Sequence, residues 1–303
     1  MYYYLLLVLT HIAIYFILSI SLNLVVGFTG QLSLGHAAFL AIGAYSVGVF
    51  TSFLYSFSFW WIWLASAVFA ACIAFLMGLP ILRLKGDYLA IGTLGLGEAV
   101  RAIIQNWDPV TRGPKGISGI RGPALGVGYL RDDMLLYALF AWALALLIYL
   151  FCRHLIRTRL GRGMEAVRED DIAASSVGIN PMHYKLLAFS LSAAFAALAG
   201  GLWAARFGTI TDGIGSFEYS VLFLSMVVLG GMGNLWGSLL GATVIAFLDF
   251  APQMFGLTNF IPPESNRIFY GLLLVVMMLY RPQGFLGRSK PKFIYDHHLK
   301  QKV

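Results

Sequence analysis

Long apolar runs, separated by short gaps bearing glycine, proline or charge, make up most of the chain. Nine such segments centre near residues 3–26, 33–54, 58–82, 87–105, 134–152, 184–205, 219–232, 235–256 and 266–280. Leu135–Phe151 and Leu186–Trp203 are almost continuously apolar rather than alternating. A helix crosses a hydrocarbon core of about 30 Å with roughly 20 residues at 1.5 Å each. Barrel strands would instead show alternating stretches of about ten residues. The pattern therefore predicts an all-α polytopic transmembrane helical bundle with eight or nine hydrophobic segments.

The largest polar interruption, 153–185, falls between the fifth and sixth segments and contains GRGMEAVREDDIAASSVGIN at 161–180. From Met164 to Val177 it has neither proline nor glycine, Gly178 stands where a left-handed stop is expected, and Pro181 follows. This spacing predicts one short helix. Ala166, Ala173 and Val177 would share a small face flanked by Ala174 and Val167, with Glu165, Arg168, Glu169 and Asp171 covering the rest. Asp170 interrupts the small face. A helix so short is marginal alone in water, so it reads either as a solvated connector or as a segment that docks into a groove.

Composition strengthens the membrane reading. Of 303 residues 59% are hydrophobic and only 12% charged, too apolar a balance for one soluble core of this length. If the segments alternate sides, fourteen basic residues fall on the face carrying Arg83, Lys85, the 153–185 loop and the 281–303 tail, against six in the opposite loops. The positive-inside rule makes the first face cytoplasmic, with the C-terminus inside and the N-terminus outside. The net charge of +7 is then explained by basic loops beside anionic lipid, without nucleic acid. MYYYLLLVLTH reads as the start of the first span, not a cleaved leader. Cys72 and Cys152 read as packing residues. No internal repeat or interdomain linker is visible, so the expectation is one transmembrane domain over 1–290, with a cytoplasmic loop at 153–185, an external loop at 106–133 and a basic tail at 291–303.

Catalytic signatures are missing from the sequence. It contains no GxxxxGK[ST], HExxH, GxSxG or CxxC, and His297 and His298 in the tail read as solvated rather than metal-binding. GTLGLG at 92–97, which includes Thr93, lies in an apolar span and reads as helix packing or cavity lining, not a nucleotide cradle. The reading is a non-enzyme with no bound cofactor or metal. Two glycine-broken stretches, Gly27–His36 and Gly230–Gly237, are either tight turns or cavity linings. As linings they would offer Gln31, Ser33, His36 and Asn234 to a polar solute. Charge inside a span is costly. Glu98 and Arg101, three apart on the fourth segment, therefore read either as mutual neutralisers or subunit contacts, or as part of a solute path, with Glu98 about 16 Å above Asp87. Asp249 in the eighth segment is expected to meet another helix or subunit.

These stretches also resemble a known family. GRGMEAVREDDIAASSVGIN is similar to the cytoplasmic coupling segment of ABC importer permeases, specifically the branched-chain amino acid permeases of the LivM type. NLVVGFTGQLSLGHAAFLAIGAY (23–45), RLKGDYLAIGTLGLGEAVR (83–101), RGPKGISGI (112–120), MVVLGGMGNLWGSLLGA (226–242) and YRPQGFLG (280–287) agree with it in order. The resemblance implies a pore subunit in a bacterial or archaeal cytoplasmic membrane. It implies a second homologous permease, two cytosolic ATPase subunits that use ATP and Mg, and an extracytoplasmic solute-binding protein. Glu165, Ala166, Arg168, Glu169, Asp170, Ala173, Ala174 and Gly178 would then contact the ATPase. Arg112, Lys115, Arg121 and Arg131 would face the binding protein. Import of urea, short amides or another small polar solute, and a stand-alone channel or secondary transporter, remain as other readings.

Overall fold

The computed structural model describes residues 2–53, 58–125, 128–129, 133–254, 271–272, 275 and 284–286. The segment 266–280 lies almost wholly outside them. Arg131 and the 291–303 tail, with His297 and His298, lie entirely outside.

The α-helices in order are α1 (Tyr2–Asn23), α2 (His36–Phe53), α3 (Phe59–Ile81), α4 (Asp87–Asn106), α5 (Asp108–Thr111), α6 (Met134–Arg157), α7 (Arg159–Glu169), α8 (Asp171–Ser176), α9 (Pro181–Phe207), α10 (Phe217–Gly230) and α11 (Leu235–Met254). Tyr3–Phe28, Phe59–Ile81, Met134–Arg157 and Pro181–Phe207 are long and apolar enough to cross a membrane, and α2, α10 and α11 are shorter apolar helices. At 1.5 Å per residue the 14 residues of α10 extend only about 21 Å. That is short of a full crossing, and Leu222–Gly230 is buried throughout.

Local chemistry sets the helix ends. Asp133 caps α6 by accepting from Leu135 N (3.0 Å) and Leu136 N (3.3 Å). Asn180 caps α9, Pro181 takes its first position, and Gly208 ends it at φ 68°. Helix α9 is the hub, packed on α2, α3 and α1. Small residues permit this closeness: a Cβ on Gly201 would press within 3.0 Å of both the Trp63 ring and Val47. On its other side α1 packs against α6 and α11.

Four two-residue strands complete the described chain: β1 (Ile117–Ser118), β2 (Ala124–Leu125), β3 (Gly128–Tyr129) and β4 (Thr209–Ile210). β1 and β4 pair antiparallel with Ile117 opposite Ile210, which ties the 106–133 loop to the end of α9. Glycine and proline content alone suggests a loose linker there. The fold instead buries Ile117 and Ile120 against the bundle and leaves Arg112, Lys115 and Arg121 exposed.

Candidate functional site

The predicted single helix over 164–177 is two helices. Asp170 is extended at φ −160°, ends α7 and caps α8, accepting from Ile172 N at 2.7 Å and Ala173 N at 3.0 Å. An aspartate competes for backbone donors in this way, which is why the chain breaks where the charge pattern interrupts the small face. Those N–H groups, Ala173's foremost, hold the Asp170 carboxyl below the usual carboxylate range.

The break also divides the expected face. Met164, Val167 and Ala174 are buried in the chain's own bundle, Ala166 is half-buried, and Glu165 is partly covered. Ala174 therefore stabilises the local fold and is not presented outward. What α8 presents instead is Ile172 and Val177, 75% and 74% exposed, with Ala173 and Gly178 beside them and Glu169 exposed at the end of α7. Asp171 pairs with Lys185 of α9 and anchors the short helix.

Arg168 turns inward rather than lying on an outer charged face. Gly30 and Gly233 both have left-handed backbones, φ 70° and 80°. A Cβ on Gly30 would stand 3.1 Å from Arg168 Cγ, and one on Gly233 2.6 Å from its Nη1. One α7 side chain thus lies across both glycine-broken stretches. These stretches are also tied to each other: Asn23 Nδ2 donates to Asn234 O (3.0 Å) and Ser238 Oγ (2.8 Å), and Gly233 N donates to Asn23 Oδ1 (2.9 Å). Asn234 caps α11 through Trp236 N (3.0 Å) and donates to Leu286 O (2.7 Å).

After α1 the backbone passes through a π-turn at Leu24–Phe28 and then runs without regular structure to His36. Thr29, Gln31 and Ser33 are buried while Gly30 and Leu32 between them are exposed, so the break alternates between the interior and the surface of the bundle. Thr93 of α4 receives it, its Oγ1 accepting from Leu34 N at 2.9 Å. His36 Nε2 lies 2.8 Å from Ser21 Oγ, which itself donates to Leu18 O. The Gln31 amide and the Ser33 hydroxyl are buried with no hydrogen-bond partner among the described residues.

Glu98 and Arg101 stand apart from this group. Their carboxylate and guanidinium are 3.7 Å apart, and Arg101 is equally close to Asp212 in the segment joining α9 to α10. Gln105 Nε2 adds a 2.6 Å bond to Asp212. Thr93, Gly97, Arg101 and Gln105 recur every four residues, so one face of α4 joins the interior break to this charged cluster. Asp249, without a partner in its own helix, accepts from Tyr15 OH of α1 at 2.9 Å.

Sequence reading missed Asn23, Gln105, Asp212 and Ile172. Only Asn23 carried a signal, as an amide inside an otherwise apolar run. Among the described residues no group of three His, Cys, Asp or Glu side chains could hold a metal ion.

Four helices long and apolar enough to cross a membrane, joined by glycine-broken stretches and carrying a charged helical appendage at one end, mark a multi-pass membrane protein. Residues 4–278 match the family described as "Branched-chain amino acid transport system / permease component", and the chain belongs to that family. It is 38% identical to the high-affinity branched-chain amino acid transport system permease protein LivM of Escherichia coli K12 over 301 residues, 92% of this chain and 69% of that one. It is 27% identical to a probable LivM permease of Methanocaldococcus jannaschii, covering 96% and 94% of the two chains. Escherichia coli LivH is 25% identical, covering 91% and 92%. No solved structure matches the chain significantly.

Proposed function

We propose that this chain is a pore subunit of an ABC importer and carries branched-chain amino acids handed to it by an extracytoplasmic solute-binding protein. Its similarity to both LivM and LivH supports pairing with a second, related permease. Energy comes from two cytosolic ATPase subunits using ATP and Mg. The chain sits in a bacterial or archaeal cytoplasmic membrane as a single transmembrane domain, with α7, α8 and the C-terminus inside.

One observation carries the coupling role. α8 exposes Ile172, Ala173 and Val177 at the tip of an appendage whose Arg168 lies across both interior breaks. Apolar side chains so exposed are stabilised when a partner covers them. An ATPase gripping this tip would move α7, and Arg168 would pass the displacement to Gly30 and Gly233. Glu165, Glu169 and Asp170 set the charge around the contact. Gln31 and Ser33, buried and without a hydrogen-bond partner among the described residues, are the groups best placed to meet a polar solute or the water that accompanies it. Thr93, His36 and Asn234 hold the break in shape.

The test is Ala173→Trp in the complex purified with its co-isolating subunits. ATPase subunits and a second permease should co-purify with the native chain. The variant inserts normally, yet in proteoliposomes its ATP hydrolysis no longer drives uptake. Normal coupling in Ala173→Trp, or a native chain that purifies alone and transports without ATP, refutes the proposal.

A further inference from the structure

At the basic end of the bundle a cavity of about 330 Å³ opens between α6 and α11, lined by Phe28, Tyr149, Arg153, Arg157, Asn234 and Trp236 among others. Both helices pack on α1, and Phe28 of the turn that follows α1 lines the groove between them. Arg153 and Arg157 are exposed one turn apart on α6. The three ion pairs among the described residues involve neither. Like charges at this spacing repel, so an anion between the two guanidiniums relieves a cost built into the helix. Bidentate arginine contacts suit a phosphate well.

The same helical face continues in apolar form. Leu146 and Leu150 stand in register with Arg153 and Arg157, at spacings of four, three and four, and both are exposed. Opposite them, α11 exposes Trp236, Leu240 and Phe247 along one stripe. Trp236 meets Tyr149 with ring centroids 5.3 Å apart, closing the groove at the level of the arginines. A tryptophan there is typical of the membrane–water boundary. Two cations at that level, with apolar rails running inward, match an amphiphile carrying an anionic head and not a soluble anion.

We propose that this groove binds one anionic phospholipid, its phosphate between Arg153 and Arg157 and its acyl chains along the Leu146–Leu150 and Leu240–Phe247 stripes. The test is native mass spectrometry of the full-length chain released from micelles holding phosphatidylglycerol and phosphatidylcholine of identical acyl chains in equal amounts. The native chain retains phosphatidylglycerol by roughly tenfold or more, as two interfacial arginines support. Arg153→Gln with Arg157→Gln brings the two lipids to parity, while the paired lysine substitutions keep most of the preference. Arg112→Gln with Lys115→Gln leaves it unchanged. The proposal is overturned by equal retention in the native chain or by a preference that survives the paired glutamines. It is equally overturned by displacement with inorganic phosphate, which would mark a soluble-anion site. Loss of the lipid when partner subunits co-purify would assign the groove to a protein interface and also overturn it. The readout is a lipid adduct, so it stands or falls separately from ATP-driven transport.

Discussion

Asn23 uses both amide protons and its carbonyl oxygen to hold the break after α1 against the one before α11. Its side chain is buried, so truncation strands Gly233 N–H without water to replace the lost bond and leaves Asn234 O with Ser238 N alone. Asn23→Ala is expected to cost roughly 2–4 kcal/mol, the range for several buried hydrogen bonds with orphaned partners. Thermal unfolding in detergent should show a clear drop in midpoint, and an unchanged midpoint would dismiss the clamp. Position 233 is constrained from another side: its φ of 80° and the nearby Arg168 guanidinium leave glycine as the residue that fits without strain.

At the scale of elements, the division of 159–176 into α7 and α8 governs what the appendage can present. Asp170→Ala removes the cap while leaving α7 packed on α6 and α9. Hydrogen exchange should then rise across 172–177 and stay low at Met164 and Val167. Equal protection in both segments would mean the cap is idle. The pH dependence follows from the same group. Its carboxyl is held below the ordinary value in the folded chain, so the cap is fully present above the unfolded pKa of about 3.9. It is lost only as pH falls through the lower folded value. Exchange at 172–177, corrected for intrinsic rate, should therefore be flat from neutral pH to about 5. A rise within that window would contradict the assignment.

At the scale of the whole molecule, these polar and charged residues form two groups joined by one face of α4. Gln31, Ser33, His36 and Thr93 gather near the basic end, and Glu98, Arg101, Gln105 and Asp212 form the charged cluster. Arg101 already has Asp212 as a second partner, and the Glu98 side chain is 47% exposed. Losing the Glu98 charge should leave the fold intact. We propose that the Glu98 charge meets the solute, so Glu98→Gln should insert and assemble normally but lower uptake several-fold. Undiminished uptake would restrict Glu98 to packing or subunit contact.

The helical class, eight of the nine apolar segments within a few residues of their structured bounds, and the basic end of the bundle were all legible from the residues alone. Each rests on local quantities, such as run length, capping residues and charge count, that need no knowledge of neighbours. The sequence also marked Gly27–His36 and Gly230–Gly237 as broken backbone, because glycine and polar residues interrupt apolar runs in few other ways. Tertiary structure decided what meets what. The Asn23 clamp joins residues 210 positions apart, Arg168 reaches across both breaks, Asp212 claims Arg101, and Tyr15 answers Asp249. A helix pattern assigns residues to faces but does not say which neighbour each face meets. In a bundle where nearly every face is apolar, only packing separates the covered side from the open one. Ala174 went inward and Ile172 outward for that reason: Asp170 ended one helix and capped the next, rotating the small face by a break that periodicity treats as continuous.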